Sequence, residues 1–353
     1  MSHFDRRGFL VAAACAATPL ISGRAFAQQK KLTVVSWGGA YQAGQSKQVW
    51  QPAAARLGVH LVEETYNGLA DLRLRVRSGA STWDVVSIGA GGAARASAED
   101  ILEALDYKAI DTSSFVKGYA EKQWVGGDLY STAITWNSKK YGASAPQTWA
   151  DFWDVKRFPG ARAYRNQALG HLEPALMADG VPMDKVYTEL STDAGLKHAV
   201  DKVAALKPNI AAFWASGAQQ TQLLKDGTVD MASAWSGQIA ALAKAGLPIA
   251  WTYNQAMLDA DVYVVPKGAA NRELAMQFLA EIAKPEYQAA FSNAMPYGAV
   301  NSKAYDGKLI SAELAQTLPS APANLSRQLR LDPVWWRENQ ARAEKLYQEM
   351  ISK

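Results

Sequence analysis

The chain has 353 residues, 49% of them hydrophobic, and a formal net charge of +4. That length buries a large core and predicts two domains. The charge excess is too mild for a nucleic-acid surface, which needs a clustered basic patch; Arg73, Arg75 and Arg77 are read as a solvated face.

In chain order, Asp5-Arg6-Arg7-Gly8-Phe9-Leu10 is a twin-arginine pattern. An apolar stretch from Val11 to Ile21 and the small-x-small site Ala25-Phe26-Ala27 follow it, so residues 1–27 are expected to be a signal peptide. The mature chain then begins near Gln28, exported, with a formal charge of +2 after losing three arginines and one aspartate. No other run reaches the ~18 apolar residues of a membrane span. The one cysteine, Cys15, lies in the leader, where its flanks fit a lipidation site poorly. The mature chain therefore has no disulfide.

Leu32–Ser36 reads as a strand ending in Trp37-Gly38-Gly39, Gln45–Leu57 as a helix and Val59–Val62 as a strand. Leu69–Arg77 is predicted helical with its stop at Gly79. A strand over Asp84–Ile88, a turn at Gly89-Ala90-Gly91-Gly92 and a helix over Ala93–Ala104 come next. This strand–helix rhythm predicts a parallel sheet covered by helices. Leu129–Trp136 is extended. An aromatic stretch at Trp149–Trp153 opens a second α/β section: a helix over Asp193–Leu206, a helix over Gly217–Lys225 capped by Ser216, a strand over Val229–Trp235 and a helix over Gln238–Lys244. A helix over Asn271–Ala283 and an amphipathic helix over Pro333–Ser352 close the chain.

The stretch Asn254–Gly268 concentrates the chemistry. Val262–Val265 is β-branched or aromatic and reads as a strand stopped by Pro266 and Gly268. With a period of two, Asp259, Asp261 and Tyr263 share one face. A carboxylate entering a buried strand needs a cation, either a protein arginine or lysine such as Lys267, or a ligand ammonium. Both readings are open from these residues. Twelve tryptophans and fourteen tyrosines supply flat faces, some of which could cage such a cation.

Gly89-x-Gly91-x-x-Ala94 matches a dinucleotide-binding fingerprint, with Asp111 near the distance of its acidic partner, but Leu105–Ile110 is not a clean strand. Enzymatic constellations are otherwise missing. His60, His171 and His198 lack metal-ligand spacing, and there is no G-x-S-x-G or H-E-x-x-H. Neither a cofactor nor a metal is expected; an exported cofactor-dependent enzyme stays as the alternative of another class.

Several segments together resemble the periplasmic solute-binding proteins of ABC importers, in the spermidine/putrescine-like group. They are Ser36-Trp37-Gly38-Gly39, Trp83-Asp84-Val85-Val86, Thr148–Asp154, Leu172–Leu176, Ser216–Gln219, Trp235-Ser236-Gly237, Val264–Gly268 and Tyr297–Asn301. The resemblance implies a two-lobed α/β fold of periplasmic binding protein type II, with a ligand cleft between the lobes. Lobe one would be 28–138 plus 262–300 and lobe two 139–261, with crossovers near Trp136 and Asp261 and the helices of 301–353 packed across lobe two. It further implies a monomer in the periplasm that delivers a small cationic amine to a membrane permease, with no nucleic-acid partner. Carried over by position, Trp37 with Gly38 and Gly39, Ser87, Gly89, Trp214, Trp235, Gln238, Asp259 and Asp261 would meet the ligand. Asp261 would be the counter-ion and Asp259 would stand at the rim. Gln238 stands where relatives often carry arginine, and Asp259 where polyamine binders carry an aromatic residue. An amino-acid-like or betaine ligand is therefore a second expectation.

Overall fold

The computed structural model describes residues 30–79, 81–306 and 309–353; the leader read at 1–27 lies outside them. Ten strands form one sheet among the described residues: β1 (Lys30–Ser36), β2 (Val59–Thr65), β3 (Val85–Gly89), β4 (Ala120–Glu121), β5 (Trp124–Asn137), β6 (Arg162–Arg165), β7 (Ile210–Trp214), β8 (Met231–Trp235), β9 (Ile249–Val264) and β10 (Leu329–Arg330). The order is β2-β1-β3-β9-β5-β8-β6-β7, with β4 added to β5 and β10 to β9. The expected parallel pairing holds at each end, in β2-β1-β3 and in β8-β6-β7. Between these ends β9 and β5 run antiparallel to each other and to their outer neighbours, so the whole sheet is mixed.

Each end of the sheet carries its own core. In the first, alternation along β1 sends Leu32 and Val34 to a cluster with Trp50, Phe278 and Leu279, and Val35 to the opposite face with Val86, Ile88 and Val262. In the second, Trp149, Phe152, Tyr164, Leu176 and Leu196 pack with Trp336 and Tyr347 of the C-terminal helix Pro333–Ser352. The C-terminal segment divides its packing. Its helix joins this second core, but Ala304, Ile310 and Leu318 pack on Ala289 and Ala299 instead.

β5 and β9 join the two ends. Asp261–Val264 of β9 pair with β3, and Thr132–Trp136 of β5 pair with β8. Trp136 thus sits inside the β8 pairing, and the change of neighbours on β5 comes before it. Both long strands are irregular, as a bridging pair must be to serve two sheet ends. β5 bulges between Gly126 and Asp128. Gly127 has to be glycine there, because a Cβ would lie 2.7 Å from the Tyr263 ring. β9 bends at Gln255, whose φ of 60° is left-handed and is held by Trp149, which donates from its indole to the Gln255 carbonyl at 2.8 Å.

Two helices near the junction differ from expectation. The first runs continuously over 39–57, beginning earlier than predicted and including a π-helical turn at Ser46–Trp50. The helix after β3 spans Ala90–Ala98, ending sooner because Asp100 turns left-handed at φ 55°. Ser216 caps Gly217–Lys225 as predicted, accepting from the Gln219 amide at 3.2 Å.

Candidate ligand-binding cleft

The register of β5 and β9 sets Asp128 opposite Asp261 and Tyr130 opposite Asp259. Period-two alternation therefore brings two acids together on one face, with a third acid one step along. Asp128 is 1% exposed and Asp261 9%. Tyr41 donates its hydroxyl to Asp128 Oδ2 at 2.6 Å, and Gln45 its amide to the same oxygen at 2.8 Å. Asp128 Oδ1 is buried without a partner. Trp37 Nε1 donates to Asp261 Oδ1 at 3.0 Å.

No lysine, arginine or histidine among the described residues forms an ion pair with Asp128, Asp259 or Asp261. Lys267, one candidate for that role, pairs with Asp100 at 2.5 Å. Burial raises the Asp261 carboxyl from 3.8 to about 7; the nearby Asp259 charge adds to the rise, and the bonds from Trp37 and Tyr41 oppose it. Asp128 is pushed well above the carboxylate range, by burial first and then by the charge of Asp261. Two dry carboxylates side by side are stable only if they hold a proton or a cation.

Aromatic rings surround this pair. Trp37 is 41% exposed, the product of its place just beyond β1 and before the left-handed Gly38 at φ 75°. Gly39 begins the helix that carries Tyr41 and Gln45 to Asp128. The Trp37 ring tilts against Tyr66 with centroids 5.0 Å apart, and Tyr66 donates to the Ser87 carbonyl at 2.6 Å. Tyr41 meets the edge of Tyr297 at 5.3 Å. Ser87 is buried opposite Tyr263 and its hydroxyl has no partner. Gly89 lies opposite Asp261, and a Cβ on it would enter open space.

From the other end of the sheet, Trp235 sets an edge against Tyr130 at 6.3 Å and against Trp214 at 5.0 Å. Trp214 itself is fully buried, donating to the Ser233 carbonyl at 3.0 Å. It stands behind Trp235, edge-on to it. Gln238 is committed to its own surroundings. Its Oε1 accepts from Thr221 at 3.1 Å, and the side chain covers Gly217 so closely that a Cβ there would collide with it. Asp259 accepts from Tyr130 at 3.0 Å and from the Ala260 amide at 2.8 Å, and its carboxyl is raised chiefly by burial.

Residues 53–323 match the family model described as bacterial extracellular solute-binding protein. The chain belongs to that family. It is similar to the γ-aminobutyric acid-binding protein of Pseudomonas aeruginosa, 37% identical over 312 residues, which is 88% of each protein. It is also similar to the crystal structure of the periplasmic binding protein MotA from Agrobacterium tumefaciens B6 in complex with glucopine. The TM-score is 0.83 and the identity 40%, over 91% of this chain and 99% of that one. The spermidine/putrescine-binding periplasmic protein of Escherichia coli is 25% identical over 188 residues, 52% of this chain and 51% of that protein. The polyamine likeness thus reaches about half of the chain and the γ-aminobutyric acid likeness most of it.

This solute-binding protein is the extracytoplasmic component of an ABC importer, capturing a small molecule for a membrane permease. The turn expected at residues 89–92 is instead helical from Ala90 onward, because the helix starts directly after β3. The small residues let Leu169, from the second core's side, approach to 3.5 Å of where a Gly91 Cβ would stand. The partner strand of a dinucleotide fingerprint is missing, since residues 105–110 are turn and coil and Asp111 is exposed. Among the described residues no cluster of three His, Cys, Asp or Glu could hold a metal ion.

Sequence reasoning missed Asp128, Tyr41, Gln45 and Tyr130. Asp128 had a readable signal, an acid directly after Gly126-Gly127 at the start of an apolar run. Tyr41 and Gln45 are one helical turn apart and had none until the helix was seen to begin at Gly39. In this solute-binding protein Trp37→Ala removes both an exposed ring and the bond to Asp261. A cation seated on this ring would bind about 10-fold more weakly, with Trp37→Phe between the two, from a cation–π energy of ~0.5–2 kcal/mol. Fluorescence titration of both variants checks it.

Proposed function

We propose that the protein captures a small primary amine whose ammonium lies between Asp261 and Asp128, with Trp37 as the covering ring. The observation that carries this is the buried acid pair with no protein cation among the described residues. An ammonium supplies the charge and the donors that Asp128 Oδ1 lacks. The ligands that two relatives are named for, γ-aminobutyric acid and spermidine/putrescine, are amines, which supports the same class. Asp259, bonded to Tyr130, stands at the rim.

One lobe is built on β2-β1-β3 and the other on β8-β6-β7, joined through β5 and β9, and closure about the ligand is a hinge motion at those strands. The protein acts as a monomer that binds without turnover, and the twin-arginine leader routes it folded to the periplasm. Purified protein should be screened by thermal shift against diamines, polyamines, γ-amino acids, betaines and sugars. A ligand at ~100 times its dissociation constant adds about 2.7 kcal/mol, which at roughly 2–4 °C per kcal/mol for a domain of 150–250 residues is about 5–11 °C. Amines with free N–H groups are expected to stabilise. Stabilisation by sugars alone would overturn the proposal.

A further inference from the structure

We propose that Arg165 anchors a carboxylate at the far end of the same ligand, so that the site takes an amino acid whose two charges sit on different carbons. This rests on the ammonium reading of Asp261 and Asp128. Arg165 ends β6, opposite Trp214 in register, and is half-buried. Its guanidinium stands 4.9 Å over the Trp235 ring and 5.5 Å from that of Trp214. Its Nε is buried with no partner, and so is Trp235 Nε1 beside it. Among the described residues nothing forms an ion pair or a hydrogen bond with this guanidinium. A charged guanidinium whose Nε is buried without an acceptor is costly, and its fork of donors matches the two oxygens of a carboxylate.

The acids whose charge reaches Arg165 are Asp259 and Glu344, and the tyrosines are Tyr130 and Tyr347. Both acids direct their oxygens elsewhere. Asp259 accepts from Tyr130 and Ala260, and Glu344 from the Ala168 amide at 3.0 Å and from Gln348 at 2.6 Å. The contacts run from Arg165 to Trp235, to Tyr130, and then two residues back along β5 to Asp128. Two strand residues alone span about 6–7 Å. That contact path is longer than an α-amino acid, with both charges on one carbon, and suits an amine with its carboxylate several methylenes away. Gln238, where relatives often carry arginine, has no charge and accepts from Thr221.

Titration of the intact mature protein with butylamine, 1,4-diaminobutane, 4-aminobutanoate and 5-aminopentanoate tests this. The wild type is expected to bind the two amino acids more tightly than butylamine. Arg165→Gln should weaken the amino acids by about 10–100-fold, the range of a hydrogen-bonded charge, and leave butylamine within about threefold. Arg165→Lys keeps a charge and most of the packing but not the fork, so it should recover only part of the loss. Equal wild-type affinity for butylamine and 4-aminobutanoate, or an equal loss for both in Arg165→Gln, overturns the Arg165 assignment alone. Failure of every amine to bind the wild type overturns the acid-pair reading beneath it. Should Arg165→Gln not fold, the wild-type comparison and Arg165→Lys decide.

Discussion

Asp261→Asn is expected to lower amine affinity by about 100-fold or more, because removing one partner of a buried charge pair costs ~3–5 kcal/mol. The same substitution should raise the melting temperature of the ligand-free protein at mildly alkaline pH. The folded-state carboxyl titrates at about 7 against an ordinary 3.8. A group raised in this way binds its proton more tightly in the folded state. Its contribution to stability is full below the unfolded value and is lost as pH rises through the folded one. Asn holds the shape without the charge, so the gap between variant and wild type should open from about pH 4 to pH 7 and then stay level. A structural salt bridge predicts the reverse: a less stable empty protein above the carboxylate range and unimpaired binding. Melting curves of both proteins, with and without a diamine, distinguish the two.

Amine affinity should also fall about 50-fold between pH 7 and pH 5, approaching tenfold per unit at the lower end. The ligand does not change over that interval, since an alkyl ammonium titrates near 10. The acid pair does. Below about 7 the site holds a proton where the ammonium must go, and that proton has to leave on binding. Asp259, Tyr41, Tyr130, Tyr263 and Tyr297 also face the pair. The tyrosines are all raised above their ordinary value, and Asp259 is raised by burial, in the same direction as the pair. Equilibrium titrations across this range check the slope; a flat profile would remove the acid pair from binding.

Much of the lobe architecture was legible because hydrophobic periodicity and caps act locally. The strands after Leu32 and Asp84, the Ser216 cap and the C-terminal helix needed only their own residues. The mixed centre of the sheet was not legible, since nothing local states that β9 inserts between β3 and β5. Asp261 was found through its place at the mouth of an apolar strand, a cost visible in one dimension. Asp128 was missed because its importance lies in the register that sets it opposite Asp261, a non-local fact created by the bulge at Gly127. The same limit explains Trp214 and Gln238. Trp214 ends β7 and Gln238 lies in the helix after β8, and hydrogen bonds to Ser233 and Thr221 hold them there, which no local pattern states. Arg165, on a four-residue strand that periodicity did not pick out, became visible only when Trp235 was seen beneath it.

The most direct measurement is calorimetry of amine binding near pH 6.5 in two buffers of different ionisation enthalpy, on wild type and on Asp261→Asn. If the ammonium replaces a proton held by Asp261 and Asp128, the wild-type heat differs between buffers by the ionisation heat of up to one proton, and the difference fades above about pH 8. Asp261→Asn should show no such binding heat at matched concentrations. Strong amine binding with identical heats in both buffers, retained in Asp261→Asn, would contradict the assignment of this acid pair as the ligand's counter-ion.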